Sequence, residues 1–446
     1  MVHLTPISDN LPNGWVWTSL EKISHIILGQ SPPSSTYNTD GEGLPFYQGK
    51  LEFGKLYPTP RKWCTAPKKI AEKGDVFISI RAPVGPTNIC PEKSAVGRGL
   101  AAIRGLGGIE SFFILYLTRA YANEIASKGT GTTFDAITGN QLKTFEIPLP
   151  PLAEQHRIVS KLETLFTQLD AAVDSLKKAQ VQLHQYRRSI LKAAFEGKLT
   201  KEWRAEHRNK FQPLNNSTEF PKNWEKTTVG KVITKVSLSG KKIKKGDYEL
   251  EGKLPVIDQG SSFIGGYTND EELKIECELP VIVFGDHTKA IKYVDFDFVG
   301  GADGIKVIKS QEMYHPKLFY YFIRAISLPD RGYSRHFQFL EKAKIPVPPL
   351  TEQEQIVSEL ERYLSVADEI EATLDAELKR AERLRQSILN HAFSGKLVPQ
   401  EPNDEPASIL LEKIQEEKGP QQLKRKQTTT KPKNTSLAKQ LPLPLD

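Results

Sequence analysis

Two stretches of the chain carry apolar side chains in a sustained 4-3 alternation. The first runs Ile158, Leu162, Leu165, Leu169, Ala172, Leu176, Ala179, Leu183, Tyr186 and Ile190. The second runs Ile356, Leu360, Tyr363, Ala367, Ile370, Leu374, Glu377, Ala381, Leu384 and Ile388, and only Glu377 breaks it, with Leu378 beside it. A 3.5-residue apolar period predicts coiled-coil helices, because the stripe has to be buried along its whole length. At 1.5 Å per residue each helix would reach ~66 Å. Pro151 and Pro349 block helix upstream, Thr351 with Glu354 forms a capping box, and Gly197 and Gly395 suit the position just past the last turn.

The two stretches are copies. Ile147-Pro148-Leu149-Pro150-Pro151-Leu152-Ala153-Glu154-Gln155 precedes the first, which ends Ser189-Ile190-Leu191 and then Ala194-Phe195-Glu196-Gly197-Lys198-Leu199. Ile345-Pro346-Val347-Pro348-Pro349-Leu350-Thr351-Glu352-Gln353 precedes the second, which ends Ser387-Ile388-Leu389 and then Ala392-Phe393-Ser394-Gly395-Lys396-Leu397. A repeat of this length is a duplicated module, not a solenoid unit. Matched lengths and small alanines in the seam favour an intramolecular, antiparallel helix pair, as a two-fold relation between modules requires.

Ahead of each helix lies a mixed segment with dense Pro and Gly punctuation. Val76-Phe77-Ile78-Ser79-Ile80 reads as a strand after the turn Lys73-Gly74-Asp75, and Phe112 through Ile125 fits one helix. The second segment repeats the outline: Phe220-Pro221-Lys222-Asn223-Trp224 matches Leu11-Pro12-Asn13-Gly14-Trp15, and Leu318-Phe319-Tyr320-Tyr321-Phe322-Ile323 sits where Phe112 to Leu117 sits. The expected fold class is α+β, with two globular α/β domains separated by two long antiparallel coiled-coil helices in a pseudo-two-fold duplication. Expected boundaries are 1–150 for the first domain, 151–200 for its helix and 201–219 for a linker. Residues 220–348 form the second domain, 349–399 its helix, and 400–446 a C-terminal segment whose basic tail has the composition of a disordered chain. Between the shared landmarks the loops differ freely, which is how binding specificity is diversified on one scaffold.

At 446 residues two or three domains are expected. No apolar run approaches the ~18–20 residues of a membrane span, and no secretory leader is visible at Met1 onward. The three cysteines, Cys64, Cys90 and Cys277, have no paired spacing, which suits a cytoplasmic location. A net charge of +7 permits nucleic-acid binding without requiring it.

Catalytic signatures are missing. No phosphate-binding G-x-x-x-x-G-K-[ST] loop occurs, and Gly105-Leu106-Gly107-Gly108 is only a turn. The Pro-Pro pairs follow Ser31, Leu149 and Val347, so none has the Asn/Asp-Pro-Pro-aromatic form that holds a base for amino methylation. Glu272-Leu273-Lys274 has the form of a nuclease Glu-x-Lys, a triplet that chance supplies readily in a Lys/Glu-rich chain. The nine histidines show no metal-ligand spacing. The residues therefore point to binding and assembly, with no catalytic or metal site. A sequence-reading subunit of a complex, a stand-alone DNA-binding regulator, a coiled-coil protein scaffold and an enzyme with an unrecognised site all remain open, although the duplicated helix, which catalysis does not require, argues against the last.

Pro-Pro-Leu-x-Glu-Gln opening a long helix that ends Ser-Ile-Leu and Ala-Phe-x-Gly-Lys-Leu, present twice, resembles the specificity subunit of type I restriction–modification enzymes. Gly29-Gln30-Ser31-Pro32-Pro33-Ser34, Gly74 to Gly85, and Lys396-Leu397-Val398-Pro399-Gln400 through Glu412 add to the likeness, which covers all but the last ~25 residues. The resemblance implies two target-recognition domains, each reading half of a split double-stranded DNA target. It implies helices that set the gap between half-sites and dock two modification subunits. Those subunits would carry S-adenosylmethionine, restriction subunits would bring ATP and Mg, and this chain would hold no cofactor.

Base-edge readout needs polar loop side chains. The first domain offers Gln30, Ser31, Gln48, Lys50, Arg81, Asn88, Arg98, Thr130 and Thr132. The second offers Lys241, Lys242, Lys244, Lys245, Gln259, Ser261, His287, Lys289, Arg331, Arg335, His336 and Gln338. Arg81 and Arg335 suit guanine, whereas the Lys241–Lys245 cluster suits phosphates. Glu154, Gln155, Glu352 and Gln353, at equivalent places on both helices, suit either a symmetric partner dock or charges favoured by the helix dipole. Half-sites read from one face lie about 34–36 Å apart, so part of each ~66 Å helix is left to pack on the domains.

Overall fold

A computed structural model describes residues 11–129, 136–207, 220–238, 240–301, 304–329, 332 and 334–428, with only the backbone described for 419–428. The chain divides into two compact units, residues 1–174 with 378–446 and residues 175–377. The long helices are α1 (Leu152–Phe195) and α2 (Leu350–Phe393), of 44 residues each. Each contributes its beginning to one unit and its end to the other.

The first unit is built on an antiparallel sheet of β1 (Ser24–Leu28), β2 (Val76–Ser79), β3 (Thr87–Ile89) and β4 (Leu100–Gly105), in the order β1-β4-β2-β3. Strand side chains alternate between faces, and here both faces are covered. Val76, Ile78, Ala101 and Ile103 pack on Phe113, Ile114 and Leu117 of the helix Ser111–Ala120. Phe77, Leu100 and Ala102 pack on Tyr47, Ala71 and Val96 of a five-stranded second sheet. This is why Val76–Ser79 reads as a continuous run. The helix expected through Ile125 is instead two, Ser111–Ala120 and Ala122–Ser127. Tyr121 leaves helical geometry between them, its ring packed against Phe145 and Phe393.

The second unit repeats the plan. Strands β5 (Ile233–Val236), β6 (Val281–Gly285), β7 (Ile291–Val294) and β8 (Ile305–Ser310) lie in the order β5-β8-β6-β7. Ile282, Phe284 and Ile308 face the helix Pro316–Ala325, while Val281, Val283 and Val307 face Ile257 of the second sheet. In each unit a two-stranded ribbon pairs the domain's first strand with its last, Val16 opposite Leu149 and Glu225 opposite Val347. The ribbon therefore brings the tryptophan just before it to the first turn of the long helix.

Each helix begins on its own domain. Ile158, Val159, Leu162 and Phe166 of α1 enter the first unit's core, and Ile356, Val357 and Leu360 of α2 enter the second's. The ends go elsewhere. Phe195, closing α1, packs on Phe220 and Phe322 in the second unit, and Phe393, closing α2, packs on Phe113 in the first. The repeat in sequence is therefore not the folding unit.

Within the second unit the helices pair. Leu183, Ala367 and Leu374 are buried together with Leu176 and Ala179. Gln180 donates to Asp375 at 2.8 Å, and Arg187 bridges Asp368 and Glu371 at 2.6 and 2.7 Å, so α2 numbers fall as α1 numbers rise. Within the first unit Arg385 pairs with Asp170 and lies over the Phe166 ring. The expected seam needs correction at four positions: Ala172, Tyr186, Ile370 and Leu384 are exposed. A 3.5-residue pattern drifts by about 20° per heptad around an α-helix, and the buried face instead follows Phe166, Arg187 and Leu389.

The helix ends are sharp. Lys198 N–H donates to Ala193 and Gly197 N–H to Ala194, with Gly197 at φ +73, which is a Schellman motif. Gly395 at φ +71 and Lys396 close α2 in the same way. At the other end α2 starts at Leu350, which puts Thr351 inside the first turn and rules out the expected capping box; Glu352 and Gln353 N–H both donate to the Pro349 carbonyl. The C-terminal segment holds a third helix, α3 (Ala407–Thr428). Ala407, Leu410 and Ile414 anchor it in the first unit's core, and its backbone carries on through Lys424-Arg425-Lys426, past the point where composition favours disorder. Among the described residues no helix is long and apolar enough to cross a membrane.

Gly197→Ala is expected to lose more stability in urea unfolding than Gly240→Ala. Both have φ +73, so both incur about 1–2 kcal/mol of left-handed strain. Only at Gly197 would the new methyl strike neighbours, Pro221 and Trp224, whereas Gly240 faces open space.

Candidate nucleic-acid interface

In the first unit three loops meet where β1 leaves the sheet and β4 enters it. Gly29 N–H donates to Leu100 and Gln30 N–H to Val96, which lays the 29–31 segment along the loop before β4. A side chain at Gly29 would collide with the Gly97 and Leu100 carbonyls, so that approach needs glycine. Gly97 N–H holds the Tyr47 carbonyl and thereby places Gln48. Ile80 N–H donates to Gly99, and Ser79 Oγ donates to the Arg81 carbonyl, which fixes the β2–β3 turn.

The result is an open cleft of about 1040 Å³ lined by Ser31, Gln48, Lys50, Arg81 and Arg98 among others. Five of the residues singled out from sequence are thus brought together. Lys50, Arg81 and Arg98 are exposed, and no carboxylate lines the cleft among the described residues. Three cations with an amide and a hydroxyl form a donor-rich surface of the kind that phosphates and guanine edges accept. Gln30 is exposed beside the cleft. Asn88 is a correction: it is 1% exposed, and its amide clamps both the N–H and the carbonyl of Gly54 at 3.0 Å, so it holds a loop instead of facing a ligand. Thr130 and Thr132 lie outside the described residues.

The second unit places different residues at equivalent loops. Gln259 follows the strand Leu254–Ile257 as Gln48 follows Leu44–Tyr47. Its Oε1 accepts from His287 N–H at 3.3 Å, and its carbonyl accepts from Thr288 Oγ at 2.7 Å. His287 and Lys289 sit on the β6–β7 turn, the counterpart of the Arg81 turn; Lys289 has φ +60. Ser261, Arg335 and Gln338 are exposed, Gln338 donating to the Arg335 carbonyl. His336 is a second correction: it is fully buried, its Nδ1 3.0 Å from the Asp286 carbonyl, and it ties the segment before Phe337 to the β6–β7 turn. Lys241 is engaged with the Glu272 carbonyl and Glu276, whereas Lys242, Lys244 and Lys245 are exposed. Arg331 lies outside the described residues.

Sequence reasoning missed Lys292, which organises the Gln259 loop from beneath. Its ammonium is buried and donates to the Asp258 and Ser262 carbonyls at 2.7 and 2.6 Å, with Asp258 Oδ1 at 3.5 Å. Burial pulls it below the ordinary lysine range, and Asp258 opposes that shift. Arg104 does a related job in the first unit, gripping buried Asp75 through two bonds at 2.7 and 2.8 Å. A lysine within an apolar strand, Ile291-Lys292-Tyr293-Val294, was the available signal.

The four helix-start residues, read from sequence as a symmetric partner dock or as charges favoured by the helix dipole, are all buried, which rules out a direct dock. Glu154, Gln155, Glu352 and Gln353 are each at most 1% exposed. Trp15 Nε1 donates to Glu154 Oε2 at 2.9 Å, and Trp224 Nε1 donates to Glu352 Oε2 at 2.9 Å. Gln155 and Gln353 donate to the carbonyls of Pro150 and Pro348 at 2.9 and 2.8 Å. The repeated Pro-Pro-Leu-x-Glu-Gln is therefore a lock between domain and helix.

The two locks differ in charge balance. Glu352 also accepts from Thr200, Asn223 and Arg204 at 2.8, 3.0 and 2.5 Å. Glu154 has its second oxygen buried without a partner. Burial raises its carboxyl above the ordinary range, the Trp15 bond and nearby Arg157 opposing. Arg157 itself is held by Asp404.

Comparison with known proteins places these features in a family. The type I restriction modification DNA specificity domain matches residues 12–180 and 221–380. The EcoKI specificity subunit of Escherichia coli strain K12 is 25% identical over 92% of this chain and 97% of its own length. A putative MjaX specificity subunit of Methanocaldococcus jannaschii is 40% identical over 42% of this chain, spanning 44% of that relative's length. The crystal structure of the HsdS subunit from Thermoanaerobacter tengcongensis shares the fold, with a TM-score of 0.50 at 20% identity over 87% of this chain and 99% of that one.

The unequal locks predict unequal mutants. Glu352→Gln leaves Arg204 facing a neutral amide in a largely buried site, a loss of up to about 3–5 kcal/mol for a broken buried pair. Glu154→Gln keeps an acceptor for Trp15 and removes a strained charge, so its effect at neutral pH is within about 1 kcal/mol of zero. The raised Glu154 value means that the native state holds this proton more tightly than the unfolded chain. The stability linked to it is full below the unfolded carboxyl value and is lost as pH rises through the folded one. Urea unfolding of both variants across that carboxylate range checks the order and the sign.

Proposed function

The chain belongs to the type I restriction–modification DNA specificity family, and from that premise we propose that its two domains read the two unlike halves of a bipartite, asymmetric duplex target. The observation that carries the reading is the pair of equivalent loop clusters with different chemistry. The first unit presents Arg81, Arg98, Lys50 and Gln48 around its cleft; the second presents Gln259, His287, Lys289 and Arg335. A common scaffold with unlike loops recognises unlike base edges.

The paired helices act as a spacer that holds the recognition domains at a set separation along the duplex. The antiparallel contacts and the equal lengths of α1 and α2 support this. The chain itself is not catalytic. It docks two modification subunits, which supply S-adenosylmethionine and methylate the target, and restriction subunits, which supply the ATP- and Mg-dependent steps, all in the cytoplasm. With Glu154, Gln155, Glu352 and Gln353 buried, docking falls instead to exposed apolar side chains on the helices. Tyr186 and Leu384, at equivalent positions, are 40% and 47% exposed, and Val366 and Ile370 are 50% and 44% exposed. Exposed apolar side chains that gather into one patch favour a partner surface.

The purified chain alone is expected to leave DNA unmethylated, and to support methylation once a modification subunit and S-adenosylmethionine are added. Robust methylation by the isolated chain would sink this reading. Inserting about one helical turn, roughly four residues, after both Leu176 and Leu374 is expected to change the gap between half-sites. Genomic methylation mapping would show both half-site sequences unchanged; altered half-sites with an unaltered gap would refute the spacer role.

A further inference from the structure

The second unit has another cleft, of about 500 Å³, lined by Lys235, Lys242, Lys306, Leu238, Ile305 and Phe337 among others. It opens where β5 leaves its sheet and β8 enters. The arginine-lined cleft of the first unit opens at the corresponding end, between the segment after β1 and the residues before β4. The two walls carry different chemistry. No guanidinium or amide lines the lysine cleft, and no carboxylate does so among the described residues.

The lysines are not equivalent. Lys235 is bound to Glu341 at 2.6 Å and lies over the Phe337 ring. That covers the ring, which is 5% exposed, and leaves no face on which a base could stack. Lys242 and Lys306 are exposed and have no ion-pair partner among the described residues. Leu238, Ile305 and Val307 line the same cleft, and apolar surroundings strengthen a charge pairing made there. An ammonium is a point charge that takes a phosphate oxygen in any orientation, whereas base-edge discrimination calls for a planar fork.

We propose that this cleft seats a phosphate of the duplex backbone between Lys242 and Lys306. The proposal rests on the reading of the chain as a DNA-sequence reader and adds a division of labour. At this end of the sheet the second unit anchors the backbone, while the first unit reads base edges.

The test compares the full chain with Lys242→Ala, Lys306→Ala and the double variant, on a mixed-sequence duplex over a range of salt. Each lost phosphate contact lowers the slope of log affinity against log salt by about 0.9, so the double variant should lose about 1.8. Lys306→Arg should restore the slope lost at that position. Methylation mapping with the modification subunit should return the same target for every variant. An unchanged slope in a double variant that unfolds at the parent temperature overturns the proposal, as does a changed base preference in one half-site. If the unaltered chain shows no salt-dependent binding at all, the DNA reading itself fails, and that outcome is distinct from the others.

Discussion

The structure depends on a buried hydrogen bond at the first turn of each long helix, where a glutamate oxygen accepts from an indole N–H at the opposite end of the same domain. Trp15 reaches Glu154 and Trp224 reaches Glu352. A buried carboxylate is costly unless it is hydrogen-bonded, so the contact tolerates little displacement. It closes the recognition domain on itself, because the tryptophan precedes the domain's first strand and the glutamate follows its last. It also ties the first turn of the helix to the domain it follows.

A second constraint works at the far ends. Phe195 and Phe393 carry the aromatic cluster of each helix end into a domain that is not the one where the helix began. Gly197 and Gly395 follow at positive φ, close against Pro221 and Pro12 of the tryptophan-bearing segments. Most of the repeated motif thus has a mechanical use: Pro-Pro starts the helix, Glu grips Trp, Gln caps a proline carbonyl, Phe docks and Gly turns. The motif's Glu and Gln are buried in both copies and bonded within the chain, so neither faces outward.

The recognition loops show the same economy on a smaller scale. Asn88 and His336 look like ligand-binding groups in a sequence, yet both, like Lys292, are buried and bonded to backbone. Asn88 holds the Gly54 loop, Lys292 the Gln259 loop and His336 the turn that carries Lys289. Polar residues beneath a loop and polar residues on top of it have the same composition, and only burial separates them.

The duplication, the two helices with their lengths and ends, the strand at Val76–Ser79 and the family were all legible in the sequence, because each is a local periodicity or a contiguous motif. Five of the nine first-domain candidates converge on one cleft because Gly29, Gly97 and Gly99 force three loops together. The partners of Glu154 and Glu352 were not legible. They sit 139 and 128 residues away along the chain, and a charged residue at a helix start reads as dipole compensation until its burial is known. The drift of the buried face past Tyr186 and Leu384, and the packing of each helix end onto the domain other than the one where the helix begins, were likewise settled only in three dimensions. Periodicity says that a stripe is buried; which surface buries it depends on long-range packing that no local pattern encodes.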